Sequence, residues 1–323
     1  MASADMGEHR PLAPETQAVH RHYKSLIRQR RTYSFFTAAM VLVVLIGAFW
    51  FANETNSGKF LERLPYLFDF AKSFTPDDPT EIGRAMFDLP SPYADGSQKY
   101  DYEDGRVYLF GSDFYLPEYF FQMIVTLNVA LISTILGGTL AFAICFFAAS
   151  NLVGAGPVRF LVRRIMEVLR AFPEIVLAGL LAAVLSLGPI AAIFAVSVHT
   201  IGALGKLFYE VVENADMKPD EGLRAAGANW IERVRFAIIP QVLPNFVSYA
   251  LLRAEINVRA STIIGAVGGG GIGEVFRLSI GRDHAAKTYA IVILLLITVI
   301  AVDQFSAFLR RRLVGAQAFA FGA

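Results

Sequence analysis

Apolar positions fall into long runs, and nearly all the charge lies in the stretches between them. The runs are 34–52, 119–149, 161–187, 189–212, 241–262 and 286–309. Each is near or above the ~20 apolar residues that cross the hydrocarbon core of a bilayer. The first, SFFTAAMVLVVLIGAFWFA, starts behind a polar segment and is too long for the apolar region of a cleavable signal. It reads as a retained helix, with Trp50 and Phe51 placed for an interfacial aromatic belt. Ser186-Leu187-Gly188-Pro189 parts the third run from the fourth, because Gly and Pro interrupt helices. The pattern predicts an all-α membrane protein with six transmembrane helices.

Lys and Arg near the runs give the orientation. Arg21, Lys24, Arg28, Arg30 and Arg31 precede the first run. Arg159, Arg163, Arg164 and Arg170 form a second cluster, Arg224, Arg233 and Arg235 a third, and Arg310, Arg311 and Arg312 a fourth. With all four clusters on the cytoplasmic side, six helices thread consistently and both termini lie inside. Residues 1–33 are then a cytoplasmic N-terminal segment, 34–52 the first span and 53–117 an external (periplasmic) insertion. Residues 118–312 form the core, with a cytoplasmic loop at 213–240, and 313–323 form a cytoplasmic tail. The insertion carries Pro65, Pro76, Pro79, Pro90 and Pro92 and an excess of acids, with amphipathic pieces expected over 59–74. The turn at 187–189 and the segment 265–285 fall outside.

Composition agrees. Hydrophobic residues make up 55% and charged residues 18%, against about 45–50% and about 25% in soluble domains. A net charge of +1 suggests no nucleic-acid partner. The single cysteine, Cys145, lies in an apolar run, so neither an internal disulfide nor a C-x-x-C site can form. No metal-ligand spacing and no catalytic constellation stands out. His199 lies near Ser197 and Thr200, with no carboxylate placed by sequence to orient it. His284 follows Arg282 and Asp283 in an outside loop.

The loop between the fourth and fifth runs has its own pattern. Pro219 suits a first helical turn, and Asp220 and Glu221 suit its positive end. Leu223, Ala226 and Gly227 share a face. A second amphipathic stretch runs through Trp230, Ile231, Val234 and Phe236 to Pro240. This predicts a helix–turn–helix with apolar groups left to bury, either on the membrane surface or against a partner.

The same segment resembles the EAA loop of ABC-importer permeases, E-A-A-x3-G-x9-I-x-L-P. Glu221, Gly227 and Pro240 hold the matching positions. Gly222 and Leu223 replace the two alanines, Ala237 stands for Ile and Ile239 for Leu. The resemblance covers about residues 119–312. RAFPEIV (170–176), HTIGALGKL (199–207), FAIIPQVLP (236–244) and RAEINVR (253–259) resemble phosphonate-importer permeases in particular. It implies a type I importer permease in a bacterial inner membrane, with Glu221, Arg224, Ala225, Gly227 and Pro240 coupling to a separate ABC ATPase dimer. No P-loop lysine motif occurs, so ATP and Mg would be bound by that partner and no cofactor by this chain. A periplasmic phosphonate-binding protein and a second permease copy, identical or a close paralogue, are implied as further partners besides membrane lipid. Methionine, phosphate or phosphite remain alternative cargoes.

Two further groups invite a role. Arg253, Glu255, Asn257 and Arg259 lie in the fifth run, at an expected depth in its outer half. Ionisable groups in a membrane helix usually face the protein interior or an aqueous path. Glu255 and Arg259 are spaced to pair at i,i+4, while Arg253 has Asn257 at that position. Either they form a structural cluster, or Arg253 or Arg259 lines the path of an anion, since a guanidinium suits phosphonate oxygens. Glu174 follows Pro173 at a helix start, which the helix dipole explains. The stretch 265–273 formally holds G-x-G-x-x-G at Gly268, Gly270 and Gly273, but no βαβ unit surrounds it. Gly268, Gly270, Gly271 and Gly273 instead predict irregular backbone, a gate element or close helix packing. An intramembrane hydrolase using Ser197 and His199 lacks a nucleophile motif. An ion-coupled carrier would use the 253–259 charges, but no inverted helical repeat is seen.

Overall fold

The computed structural model describes residues 14–55, 62, 65–66, 68, 78–89, 106–109, 112–154, 156–185, 188–281 and 285–314. It falls into two units, Met1–Lys72 and Ser73–Ala323. The first contains helix α1 (Pro14–Thr55), which begins well before the expected boundary at 34. Met40, Val43, Leu45 and Trp50 stand exposed along it, as suits a helix whose solvent is lipid. Of the amphipathic pieces expected over 59–74, all but Glu62, Pro65, Tyr66 and Phe68 lie outside the described residues.

The second unit runs α2 (Thr80–Met86), β1 (Arg106–Leu109), β2 (Ser112–Tyr115), α3 (Glu118–Ala148), α4 (Pro157–Ala171), α5 (Glu174–Leu185), α6 (Pro189–Glu213), α7 (Lys218–Ala225), α8 (Trp230–Arg233), α9 (Ile239–Ile264), α10 (Ile272–Gly281) and α11 (Ala285–Val314). The two strands pair antiparallel, Arg106 opposite Tyr115, in a part of the insertion for which the sequence pattern named no element. A π-turn, Val234–Ile238, joins α8 to α9, so the chain stays helical from Trp230 to Ile264. Among the described residues, five helices are long and apolar enough to span a membrane: 22–55, 118–148, 189–213, 230–269 and 285–312.

The expected span 161–187 is not one helix. Phe172 precedes a proline and adopts extended backbone, φ −73° and ψ 126°. A proline ring drives its predecessor out of the α region, and the helix breaks there. The N-terminal half, α4, is amphipathic and buries Met166. The C-terminal half, α5, is apolar but only 12 residues long, about 18 Å or roughly half a bilayer.

Helices α3, α6 and α9 make the centre. One apolar cluster joins Cys145, Phe146, Met166, Leu204, Phe208, Val212, Val234 and Phe246, with Leu223 and Trp230 packed on it from the loop. Phe208 stacks on Phe246 at 4.1 Å between ring centroids. Another cluster joins Val129, Ala178, Ala192, Val196 and Ile264 at the other end.

The glycine-rich stretch is irregular, as expected. Gly268, Gly270 and Gly271 have φ of 106°, 74° and 75°. The Gly268 carbonyl accepts from the Gly188 amide, and the Thr126 hydroxyl accepts from the Ile272 amide. The chain doubles back so closely that a Cβ on Gly273 would lie 1.9 Å from the Thr262 carbonyl oxygen. Gly273→Ala is therefore expected to destabilise the purified protein by at least the ~1–3 kcal/mol of an overpacked core. Gly179→Ala, whose new Cβ meets nothing within 4 Å, should melt like the unmodified protein. Equal thermal melting of the two variants in detergent would contradict the close approach.

Candidate functional site

The loop after α6 is built from short-range rules. Asp216 accepts the Lys218 amide, and Pro219 sits in the first turn of α7. The helix ends in a Schellman arrangement: the Ala228 amide donates to Leu223 O and the Gly227 amide to Arg224 O. That geometry needs a left-handed residue, and Gly227 supplies it with φ 86°. Asn229 then caps α8: its side chain accepts the Glu232 amide at 3.0 Å while the Glu232 carboxylate accepts the Asn229 amide at 2.8 Å.

A fork-to-fork ion pair clamps the two short helices together. Arg233 Nε and Nη2 donate to Asp220 Oδ1 and Oδ2 at 2.9 and 2.7 Å. Asp220 is buried and Arg233 nearly so. The sequence offered Asp220 only a dipole role, because its partner lies 13 positions away. Gln241 ties the loop to α9, accepting the Asp216 amide and donating to the Asp216 and Ala237 carbonyls. Trp230 stacks on Phe147. Of the three residues expected to share a face, Leu223 packs inward, while Ala226 and Gly227 are exposed. Glu221, Gly222, Arg224 and Ala225 are exposed too, so the outer surface of α7 is small, rigid and open. Pro240 opens α9, and the π-turn before it, where the Ile239 amide reaches Val234 O, accommodates its missing N–H.

A second constellation lies at mid-height. Asn257 Nδ2 donates to Thr134 Oγ1 at 2.9 Å and to Thr200 Oγ1 at 3.1 Å. Arg253 Nε donates to Thr200 Oγ1 at 3.3 Å, and its Nη2 to Glu174 Oε2 at 3.1 Å. Thr200 is about 17–20 Å from either end of α6, and Thr134 is as central in α3. Arg253 and Asn257 thus meet α6 and α3 near the middle of those helices, from positions in the second half of α9. His199 Nδ1 lies 3.2 Å from Phe172 O and 3.9 Å from Glu174 Oε2. The carboxylate that sequence could not place beside His199 is therefore Glu174, at the first position of the half-helix α5.

The expected Glu255–Arg259 pair does not form. Arg310 Nη2 lies 3.0 Å from Glu255 Oε1, and Arg259 Nη2 lies 2.8 Å from both Asp303 oxygens. Both pairs tie α9 to α11, because those helices run antiparallel and side by side. Of the four fifth-run residues, Arg253 and Asn257 share one polar layer, while Glu255 and Arg259 belong to another helix contact. Asn257 Oδ1 and Ser261 Oγ are buried without a hydrogen-bond partner among the described residues. No group of His, Cys, Asp and Glu that could hold a metal occurs among the described residues.

Comparison with known proteins follows the same lines. A family model described as binding-protein-dependent transport system inner membrane component matches residues 141–315. The phosphite transport system permease protein PtxC of Stutzerimonas stutzeri is 34% identical over 189 residues, 58% of this chain and 69% of that protein. A protein named as a permease of a cryptic phosphonate transport system, PhnE2 of Escherichia coli strain K12, is 41% identical over 120 residues, 37% of this chain and 98% of its own length. Among solved structures, an inward-facing MetNI methionine ABC transporter chain superposes with a TM-score of 0.54 at 21% identity. That match covers 60% of this chain and 95% of the other, and it shows a shared fold.

Removing one partner of a buried ion pair strands the other, at about 3–5 kcal/mol. Asp220→Ala should therefore loosen α7 from α8, read as faster hydrogen exchange over 218–233. Glu221→Ala, on the open surface, should leave that exchange unchanged. Equal protection in both variants would mean that the clamp does not hold the loop.

Proposed function

This chain belongs to the family of binding-protein-dependent transport system inner membrane components, and from that premise we propose how its parts divide the work. It is a multi-pass inner-membrane protein and the permease subunit of an ABC importer. In the proposed arrangement α7 is the coupling helix, seated on a separate cytoplasmic ATPase dimer that binds ATP and Mg and hydrolyses the nucleotide. The observation that carries this is the exposed surface of Glu221, Arg224, Ala225 and Gly227 on a helix clamped from behind by Arg233–Asp220. A rigid, small-featured helix can enter a cleft without reordering itself, which keeps the entropy cost of docking low. Pro240 sets the joint through which α7 meets the membrane helix.

The cargo is proposed to be a phosphonate or a related small phosphorus oxyanion. The phosphonate-like wording of 170–176, 199–207, 236–244 and 253–259 supports this, as do relatives whose names specify phosphite and phosphonate. Arg253 and Asn257 are proposed to line the path, since they hold a polar layer at mid-height between apolar clusters. Glu255 and Arg259 contribute by fixing α9 to α11. The turn of Gly268, Gly270, Gly271 and Gly273 is proposed as the gate-side joint. A periplasmic binding protein delivers the anion, and a second permease copy completes the pathway.

The test is reconstitution with the ATPase and binding protein. Gly227→Val, which forces a branched residue into left-handed backbone, combined with Glu221→Lys should cut binding-protein-stimulated ATP hydrolysis more than tenfold, with the membrane fold intact by thermal melting. Full stimulation in that double variant would remove α7 from the coupling role.

A further inference from the structure

The Glu174–Arg253 pair differs in kind from the buried Asp220–Arg233 pair. Asp220–Arg233 is two-pronged and sits in a loop. Glu174–Arg253 uses one oxygen and one nitrogen, 79 positions apart in sequence. Arg253 is 9% exposed at mid-height, where an unpaired cation is costly. Its planar fork is suited to two parallel hydrogen bonds to an oxyanion, and Glu174 satisfies only part of it. The carboxylate itself is less buried, with a fifth of its side chain exposed, and so is His199 beside it. The cluster thus has a buried cation and an accessible rim.

The helix break places this pair. The Phe172 carbonyl faces His199 Nδ1 at 3.2 Å, so that nitrogen carries the proton and donates. Glu174 Oε2 is 3.9 Å from the same nitrogen, so a small rotation lets the carboxylate share that N–H with the Phe172 carbonyl. Glu174 stands at the N-terminus of α5, where the helix dipole favours negative charge. In membrane transporters, half-helix N-termini at the midplane point at anionic substrate groups.

We propose that Glu174 is an internal stand-in for the transported anion: its carboxylate occupies the place on Arg253 that a phosphorus oxyanion takes when Glu174 turns to His199. This rests on the reading of Arg253 as a path residue. A two-pronged phosphonate or phosphate displaces the one-pronged carboxylate with a gain in hydrogen bonds. When the anion leaves, Glu174 returns, so Arg253 is not left unpaired in the membrane. The stand-in weakens binding at this point, as passage requires.

The test is thermal-shift titration of the permease–ATPase complex in nanodiscs, without binding protein, with methylphosphonate and with inorganic phosphate as probes. Because a ligand of the native state raises stability with its concentration, the titration yields an apparent Kd. Glu174→Gln is expected to tighten that Kd at least tenfold, and Glu174→Asp, with its shorter reach, to tighten it by less. The double variant Glu174→Gln/Arg253→Gln is expected to bind neither probe. A merely structural Glu174 would move affinity only downward. If Glu174→Asp and every assembling form of Glu174→Gln bind no tighter than the unmodified complex, the stand-in is overturned while Arg253 keeps its role. If the double variant binds and transports as the unmodified complex does, the Arg253 reading itself fails.

Discussion

A guanidinium at the middle of a bilayer has to find its counter-charge and hydrogen bonds inside the protein, because lipid offers neither. Arg253 imposes that demand on this structure. Its Nη2 calls for an acid, and Glu174 can reach it only if the third apolar run breaks at Phe172–Pro173 so that α5 starts at mid-height. Its Nε calls for Thr200, which also accepts from Asn257, and Asn257 reaches on to Thr134. Three long helices and one half-helix are thereby held at a common level. The apolar clusters above and below the layer strengthen it, since hydrogen bonds and ion pairs gain in a low-dielectric surround.

The same demand explains what could be read from the sequence. Long apolar runs announce themselves, because bilayer thickness fixes their length. Part of the loop was legible too: Pro219 at a helix start and Gly227 at its end are each dictated by local backbone chemistry. Contacts between distant helices were not. Spacing alone suggested Glu255–Arg259, and packing chose Arg310 and Asp303 from α11 instead. The break at 172–173 had a readable signal in Phe172-Pro173-Glu174, yet hydropathy ran through it because α4 carries Phe160, Leu161, Ile165 and Val168 among its arginines. Glu174 looked like a dipole residue because its partner is supplied by a helix far along the chain.

Helix α9 carries both constellations, and this links them mechanically. Its base is tied to the loop by Gln241, which holds Asp216 and Ala237. Arg253 lies thirteen residues above Pro240 on the same helix, about 20 Å along its axis. Asp220–Arg233 makes α7 and α8 one body, and the π-turn hands that body to α9 without a break in helical bonding. Pro244 withholds one backbone donor near the base, which gives the helix a joint below Arg253. In the proposed coupling role, a displacement of α7 would be carried to α9 and would move Arg253 relative to Thr200 on α6 and Glu174 on α5. The interaction most exposed to such a shift is the single-pronged pair, since a 3.1 Å contact through one nitrogen has no second bond to keep its register. The loop and the mid-height pair thus sit at opposite ends of one lever. The weaker contact is placed where movement changes what the cation binds.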